Sequence, residues 1–366
     1  METYAIKNLS FRYPETGIDV LKDITFSVNE GEFITVCGPS GCGKSTLLRH
    51  LKPDLSPHGV LSGEIFFEEK PISDLSHREQ SSKIGFVMQS PENQIVTDKV
   101  WHELAFGLES LGEDNEVIRR RVAEMSSYFG IEGWFGKKTN ELSGGQKQLL
   151  NLASVMVMQP NILILDEPTS RLDPIAASEF IATICKMNRE LSLTVIIAEH
   201  RLEELLPVAD SVTVMENGRV IAACAPREVS GRLKVISENQ RMLSALPSAT
   251  RIFEKLGLPG VCPLTVREGR DFLEKNFGGA PIAEYKEKPY THSDSAAIEL
   301  KNVWFRYERN LPDVLKNTSL KVFEGESYFV LGGNGVGKTT ALGVIAGLNS
   351  AYRGKTVILG KKIKEY

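Results

Sequence analysis

Short apolar runs alternate with helical patterns along the first part of the chain. Glu32–Cys37, Asn161–Leu165 and Leu193–Ala198 have the length and composition of buried strands, and Lys44–Leu51 opens a helix after the first of them. Buried strands that alternate with helices are typical of an α/β domain with a largely parallel sheet. The pattern therefore predicts an α/β fold.

The chain repeats part of itself at a constant spacing of 294 residues. Each matched pair keeps this register without a gap, and the pairs are Phe11–Tyr13 with Phe305–Tyr307, Val20–Asp23 with Val314–Asn317, Glu30–Glu32 with Glu324–Glu326, and Gly38–Thr46 with Gly332–Thr340. Four matches in one register indicate duplication of a domain. The second copy begins near Ala297.

This repeat divides the 366 residues unevenly. We predict a complete domain at 1–232, a connector with short helices at 233–296 and the N-terminal fragment of a second domain at 297–366. Helical periodicity marks 238–256 and 266–276, and 284–296 has the polar composition of an exposed linker. The second copy is therefore expected to hold only the first part of the domain.

Composition and charge exclude several classes of protein. Hydrophobic residues make up 42% of the chain, which is enough for a core and excludes disorder as the main state. The net charge is −4, so a dominant nucleic-acid surface is not expected. No apolar run reaches 18 residues, and the first 15 residues contain no apolar stretch of the leader type, so neither a membrane span nor secretion is expected. Five scattered cysteines indicate free thiols in a reducing compartment.

A glycine-rich loop follows the first predicted strand. It fits the pattern G-x4-G-K-[ST] and comprises Gly38, Pro39, Ser40, Gly41, Cys42, Gly43, Lys44, Ser45 and Thr46. Glycines let backbone N–H groups wrap around phosphates. Lys44 is expected to reach the terminal phosphates, and Ser45 to offer its hydroxyl to Mg²⁺. A strand before the loop and a helix after it favour this interpretation over an ordinary turn.

Two carboxylates follow the second apolar run, at Asp166 and Glu167. Beside a phosphate loop, Asp166 is expected to hold Mg²⁺ through water, and Glu167 to polarise the attacking water as general base. Alone, an apolar run followed by Asp-Glu is weak evidence. The phosphate loop makes it much stronger.

The motif that decides the interpretation lies between the phosphate loop and the two carboxylates in the sequence. Leu142 is followed by Ser143, Gly144, Gly145 and Gln146 and then by a predicted helix, Gln146–Met158. A bare helix N-terminus of this kind binds anions. Here the sequence resembles the nucleotide-binding domain of the ATP-binding cassette (ABC) family, over residues 2 to about 232 and again from near 297.

The resemblance implies a P-loop NTPase fold with a mainly parallel core sheet, an antiparallel β subdomain and a helical subdomain. In the family, the signature contacts ATP held by the opposing domain, so hydrolysis requires a dimer. Tyr13 matches the aromatic residue under adenine, although a core tyrosine in a strand is the alternative. Gln89 matches a glutamine that touches Mg²⁺ and relays to the membrane partner, and His200 matches a histidine that contacts the γ-phosphate.

Two further features follow from the same resemblance. The segment Ser170–Asp173 matches a loop at the dimer interface, where Arg171 is bulkier than the small residue often found there. The second copy offers Tyr307 and a second loop, with Thr339 in the place of Ser45; the loop comprises Gly332, Gly333, Asn334, Gly335, Val336, Gly337, Lys338, Thr339 and Thr340. We therefore expect that the 366 residues do not complete a hydrolytic site within one chain and need a second cassette, in cis or in trans.

The finer resemblance is to ATPases of energy-coupling factor (ECF) transporters, which import vitamins and metal ions. Three segments carry it: Ser90–Val96, Ala198–Glu204 and Pro263–Gly269. It implies an ATP- and Mg²⁺-dependent ATPase at the cytoplasmic face of the membrane, bound to ECF transmembrane and substrate-binding subunits. Trp101, Leu104 and Phe106 either line the docking groove for these partners or belong to the core.

The main alternative is a twin-cassette ATPase that acts on ribosomes. Such proteins usually carry a long charged linker that is often basic. Residues 233–297 hold nine Lys or Arg and eight Asp or Glu, so this connector is nearly neutral. The charge balance favours the transporter interpretation, and no nucleic-acid partner is expected.

Overall fold

The structure is a computed structural model that describes residues 2–14, 17–236, 240–279 and 295–363. The chain divides into two compact units, Met1–Gly279 and Ala280–Tyr366. Most of the predicted linker at 284–296 lies outside the described residues. The division falls within the predicted connector, and the predicted boundary at residue 232 stays a prediction.

The first unit contains two sheets. Its strands are β1 (Glu2–Arg12), β2 (Asp19–Asn29), β3 (Phe33–Cys37), β4 (Val60–Phe67), β5 (Lys70–Pro71), β6 (Ile84–Val87), β7 (Ile162–Asp166), β8 (Thr194–Ala198), β9 (Ser211–Glu216) and β10 (Arg219–Cys224). The core sheet has the order β10-β9-β3-β8-β7-β6, and a smaller antiparallel sheet has the order β2-β1-β4-β5.

The core sheet is parallel except at one edge. β3 pairs in parallel with β8 and β9, and β7 pairs in parallel with β6 and β8. Only β10 runs antiparallel to its neighbour. Every residue of β3, β7 and β8 is buried, as expected where helices cover both faces of a sheet. The predicted α/β class, with a mainly parallel core sheet and an antiparallel β subdomain, is confirmed.

Helices surround the core sheet. They are α1 (Lys44–His50), α2 (His77–Lys83), α3 (Val100–Ser110), α4 (Asn115–Phe129), α5 (Gly144–Met156), α6 (Pro174–Leu191), α7 (Leu202–Leu205), α8 (Val229–Val235), α9 (Gln240–Ala245), α10 (Ser248–Leu256) and α11 (Val266–Phe277). The helix predicted at 238–256 is two helices, because Pro247 lacks the N–H that a helix interior needs.

The helices of the connector pack on the first unit. Met242, Leu246 and Leu264 belong to one buried cluster with Val212 and Val214 of β9. The Arg227 guanidinium donates to both carboxylate oxygens of Glu268, at 3.0 and 2.8 Å. The connector helices therefore share a buried cluster with β9 as far as Leu264, and the first unit extends to Gly279.

The second unit has one sheet and one helix among its described residues. Its elements are β11 (Ala296–Phe305), β12 (Leu315–Phe323), α12 (Lys338–Ile345), β13 (Arg353–Ile358) and β14 (Lys361–Lys362). The strand order β12-β11-β13-β14 repeats the order β2-β1-β4-β5 of the first unit. A small cluster around Leu300, Phe305 and Val344 forms its core.

Candidate functional site

Four buried strands of the first unit deliver their C-terminal ends to one edge of the core sheet. The phosphate loop follows β3, Gln89 comes two residues after β6, Asp166 and Glu167 end and follow β7, and His200 follows β8. Strands that run parallel place these ends together, which is where ligands bind in open α/β sheets. The topology therefore gathers the predicted residues around one point.

The phosphate loop has the geometry that its glycines predict. Gly43 caps α1 with φ 106°, a conformation that other residues rarely adopt. A Cβ on Gly38 would lie 2.2 Å from the carbonyl oxygen of Met215, so only glycine fits there. Lys44 is 4% exposed, and its ammonium donates to the carbonyls of Gly38 and Pro39 at 3.0 and 3.3 Å. The loop thus holds its lysine in a defined position.

The hydroxyl of Ser45 and the carboxylate of Asp166 are in direct contact. Ser45 Oγ donates to Asp166 Oδ1 at 2.8 Å. Burial raises the pKa of the Asp166 carboxyl, while the hydrogen bond from Ser45 acts in the opposite direction. A hydroxyl and a buried carboxylate supply hard oxygen ligands, which Mg²⁺ prefers together with water and substrate phosphates. The pair fits the predicted magnesium site.

Glu167 lies at the centre of the cluster. Gln89 Nε2 donates to Glu167 Oε2 at 3.0 Å, and His200 Nε2 lies 2.9 Å from Glu167 Oε1. Lys44 Nζ is 3.6 Å from the same Oε1. The backbone of Glu167 is left-handed with φ 45°, which costs about 1–3 kcal/mol for a residue other than glycine. The structure thus brings the predicted base, glutamine and histidine together with the loop lysine.

A buried carboxylate organises the loops around this cluster. Glu199 is 2% exposed, and its Oε1 accepts hydrogen bonds from the backbone N–H and the hydroxyl of Thr169. Its Oε2 accepts from the backbone N–H of His200 at 2.9 Å. Glu199 therefore ties the turn after Glu167 to the start of the His200 loop. The sequence shows it only as an acid beside His200, so its positioning role was missed.

Tyr13 lies beside the phosphate loop, partly buried against one of the core clusters. Its hydroxyl is 3.3 Å from Thr46 Oγ1, and its ring makes an edge contact with Phe11 at 4.9 Å between centroids. The side chain is partly exposed. This position is compatible with an aromatic platform for an adenine ring, which stays a prediction.

The signature starts α5 as predicted. Ser143 Oγ accepts from the backbone N–H of Gln146, and Gln146 Oε1 accepts from the backbone N–H of Ser143, which forms a capping box. A Cβ on Gly144 would meet no atom within 4 Å, so this face is open. Within the described ranges, no hydrogen bond joins Ser143–Gln146 to Gly38–Thr46. Ser143 is exposed and Gly144 and Gly145 are partly exposed, so the start of α5 is accessible at the surface.

The predicted docking residues separate into two groups. Trp101 and Phe106 are each 40% exposed, whereas Leu104 is fully buried in the main core. Phe106 lines a cavity of about 470 Å³ together with Val96. Leu104 is therefore a core residue, and the other two are available at the surface.

Comparison with known proteins agrees with this geometry. The family model for ABC transporters matches residues 21–170 and 315–366. The chain belongs to the ABC transporter family. It is 38% identical, over 98% of its length, to a putative ABC transporter ATP-binding protein of Bacillus anthracis. The chain spans 64% of that relative's length.

Two solved structures share the cassette fold of this ABC transporter chain. CbiO1 from Clostridium perfringens, part of the ABC transporter complex CbiONQ, is 34% identical, with a TM-score of 0.58 over 70% of this chain and 99% of CbiO1. The ATP-binding cassette MJ0796, a dimer in a post-hydrolysis state with ADP and Pi, is 26% identical, with a TM-score of 0.54 over 61% of this chain and 99% of that cassette.

The second unit of this ABC transporter chain holds a second phosphate loop. Lys338 Nζ donates to the carbonyls of Gly332 and Gly333 at 2.7 and 2.6 Å, and Tyr307 Oη lies 3.0 Å from Thr340 Oγ1. No hydrogen bond between Thr339 and a carboxylate occurs in the part of this unit that the structure describes. The loop is present there without the acidic cluster.

None of the helices within the described residues is long and apolar enough to cross a bilayer. The five cysteines have free thiols, and burial raises the pKa of Cys37 to about 12. Cys42, inside the phosphate loop, is also buried and has a pKa raised by burial. These thiols therefore stay protonated at neutral pH.

Proposed function

We propose that this chain is the ATP-hydrolysing subunit of an ECF-type membrane importer for a vitamin or a metal ion. The convergence of Gln89, His200 and Lys44 on Glu167 is the observation that carries the hydrolytic part of the proposal. These contacts combine a base, a hydrogen-bonding histidine and a phosphate-binding lysine in one place.

In the proposed reaction, water attacks the γ-phosphorus of ATP, and the bond between the γ-phosphorus and the bridging oxygen breaks. Glu167 accepts a proton from the attacking water, Gln89 orients this water, and His200 contacts the γ-phosphate. Lys44 stabilises the charge on the β- and γ-phosphates. Mg²⁺, held by Ser45, Gln89 and Asp166, would neutralise charge on the phosphates. The last contact comes from the signature of a second cassette, in cis or in trans.

The ECF part of the proposal rests on two supports. The segment around Pro91–Asn93, a short 3₁₀ turn, resembles the docking segment of ECF ATPases. Similarity to CbiO1 over the length of that protein points the same way. The membrane partners would provide the substrate path and the choice of substrate, and the chain would act at the cytoplasmic face as a peripheral subunit.

Purification from membranes tests the transporter proposal. Glu167→Gln is added to native membranes with Mg-ATP, since blocked hydrolysis is expected to trap the closed dimer on its partners. Lys44→Ala, which should not retain ATP, is the matched control. We expect integral membrane proteins of transporter size to co-purify with the first variant and not with the control. Co-purification of ribosomal proteins instead would support the translation alternative and reject the importer.

A further inference from the structure

The segment that carries Gln89 is fixed by two buried amides of the signature helix. Gln148 Nε2 donates to the carbonyl oxygen of Met88 at 3.2 Å, and Asn151 Nδ2 donates to that of Pro91 at 3.2 Å. These carbonyls stand on either side of Gln89 in the chain. Residues three apart on a helix share one face, so α5 presents both amides to the segment together.

Both amides are costly to bury. Gln148 and Asn151 are 0% exposed. Among the described residues, neither Gln148 Oε1 nor Asn151 Oδ1 has a hydrogen-bond partner. A buried polar atom without a partner destabilises the fold, and an apolar side chain of similar size would avoid this cost. The two donors therefore call for an explanation beyond stability.

Pro91 is buried and Ile95 packs against the main core, whereas the other polar contacts of the segment are weaker or are made within it. Glu92 faces Arg171 at 3.4 Å and Lys147 at 3.6 Å, but the Glu92 carboxylate is about half exposed, so these ion pairs contribute little. Gln94 bonds the backbone of Met88 and Phe86, which shapes the segment internally. The buried bonds to α5 are thus the firm attachment between the segment and the signature helix.

We propose that Gln148 and Asn151 are positioning residues that hold Gln89 at Glu167 and so link the signature helix to the water-activating cluster. A movement of α5 would then move the backbone on both sides of Gln89. Its amide, 3.0 Å from Glu167 Oε2, would follow. A misplacement of about 1 Å in such a site can cost about 100-fold in rate. This proposal rests on the proposed ATPase function.

The test combines Asn151→Leu with a Gln89→Ala background in the full chain. Asn151→Leu removes the donor at similar volume and should lower kcat for ATP about tenfold or more, with less than about twofold change in KM. In the Gln89→Ala background it should have no further effect on kcat. The matched control is Asn161→Leu, which removes an amide bond to Glu68 at 2.7 Å, away from the segment, and should leave kcat unchanged.

Each outcome decides the matter. If Asn151→Leu lowered kcat by the same factor in the wild-type and the Gln89→Ala backgrounds, the positioning role would be overturned. An equal loss of kcat in the Asn161→Leu control would also overturn it. Circular dichroism and melting verify folding; if Asn151→Leu does not fold, Gln148→Met undergoes the same cycle. A wild-type chain that hydrolyses no ATP would refute the proposed function instead, because that result does not depend on either amide.

Discussion

The two phosphate loops of this chain have nearly the same local shape and very different surroundings. Gly38 and Gly332 have φ of 156° and 153°, and each loop lysine donates to the two carbonyls at the start of its own loop. Lys44, however, is 4% exposed and faces Glu167, whereas Lys338 has no carboxylate at its ammonium within the described residues of its unit. The loop is a local structure, whereas the cluster around Glu167 depends on residues that are distant in sequence.

The segment before each loop shows the same contrast. In the first unit, Phe33–Cys37 is buried between two parallel strands. In the second, residues 326–333 have no regular secondary structure, and Phe329 and Leu331 are 82% and 87% exposed. The shared glycine positions set the turn, but burial of the strand needs neighbours that are distant in sequence. The comparison predicts that only the first loop takes part in hydrolysis by this chain.

Replacing the two loop lysines in turn is expected to give the largest difference between the copies. Lys44→Ala should lower ATP hydrolysis about 100-fold or more, because it removes a buried charge that stabilises the transferring phosphoryl group. Lys338→Ala should leave the rate within about twofold, since no acidic cluster surrounds that loop in the described residues. Phosphate release at saturating Mg-ATP measures both. Equal losses of ATP hydrolysis in the two variants would show that both loops contribute to hydrolysis.

Replacement of Tyr13 and Tyr307 compares the contributions of the two copies to ATP binding. Tyr13→Ala should weaken ATP binding about fivefold, which corresponds to about 1 kcal/mol of stacking. Tyr307→Ala should leave the affinity of the first loop unchanged. Titration with a fluorescent ATP analogue reports the affinity. Both variants are made in a Lys338→Ala background, so that the second loop does not bind ATP. An unchanged ATP affinity in Tyr13→Ala would show that Tyr13 has a purely structural role.

The melting temperature of an Asp166 variant tests whether the acidic cluster costs folding stability. Because burial raises its pKa in the folded state, the ionised carboxylate opposes folding at neutral pH. Asp166→Asn should therefore raise the melting temperature at pH 7, with loss of Mg²⁺-dependent hydrolysis. The gain should shrink as pH falls through the raised pKa, since the wild-type carboxyl is then neutral. A lower melting temperature at pH 7 would contradict this account.

The smallest effect is expected at the connector. The Arg227 guanidinium lowers the pKa of Glu268 to about 2, so the pair stabilises the first unit above the ordinary carboxyl pKa of 4.5 and loses this contribution as pH falls toward 2. Glu268→Gln should lower the melting temperature of the first unit by no more than about 3 °C, as the pair is mostly exposed. Calorimetry at pH 7 and pH 3 measures it; a pH-independent difference would argue against the ion pair.

The sequence predicts much of the fold because its strongest signals are local. The strands around Val36, Ile164 and Ile196 are short apolar runs, and each was found within one or two residues of its predicted bounds. The helix predicted from Gln146 begins slightly earlier, at Gly144, because the Ser143 cap includes both glycines. That helix also ends at Met156 and not at the predicted Met158, and the helix predicted at 238–256 is divided at Pro247, although proline gives the signal for such a break.

The candidate site is predicted in its parts but not in its contacts. Glu167, Gln89 and His200 come from motifs, whereas the bonds of Gln148 and Asn151 to a segment 60 residues away have no local signal. The role of Glu199 also depends on a turn 30 residues distant. Such contacts depend on the sheet order, which a single sequence specifies only indirectly.

Glu167→Gln in the full chain tests the central claim most directly, because it removes the proposed base while it keeps the size of the side chain. ATP hydrolysis and ATP binding are measured on the same preparation. The account predicts a fall in hydrolysis of about 10²–10⁴-fold with ATP binding retained. Hydrolysis at the wild-type rate would contradict the assignment of Glu167 and of the first loop as the working site.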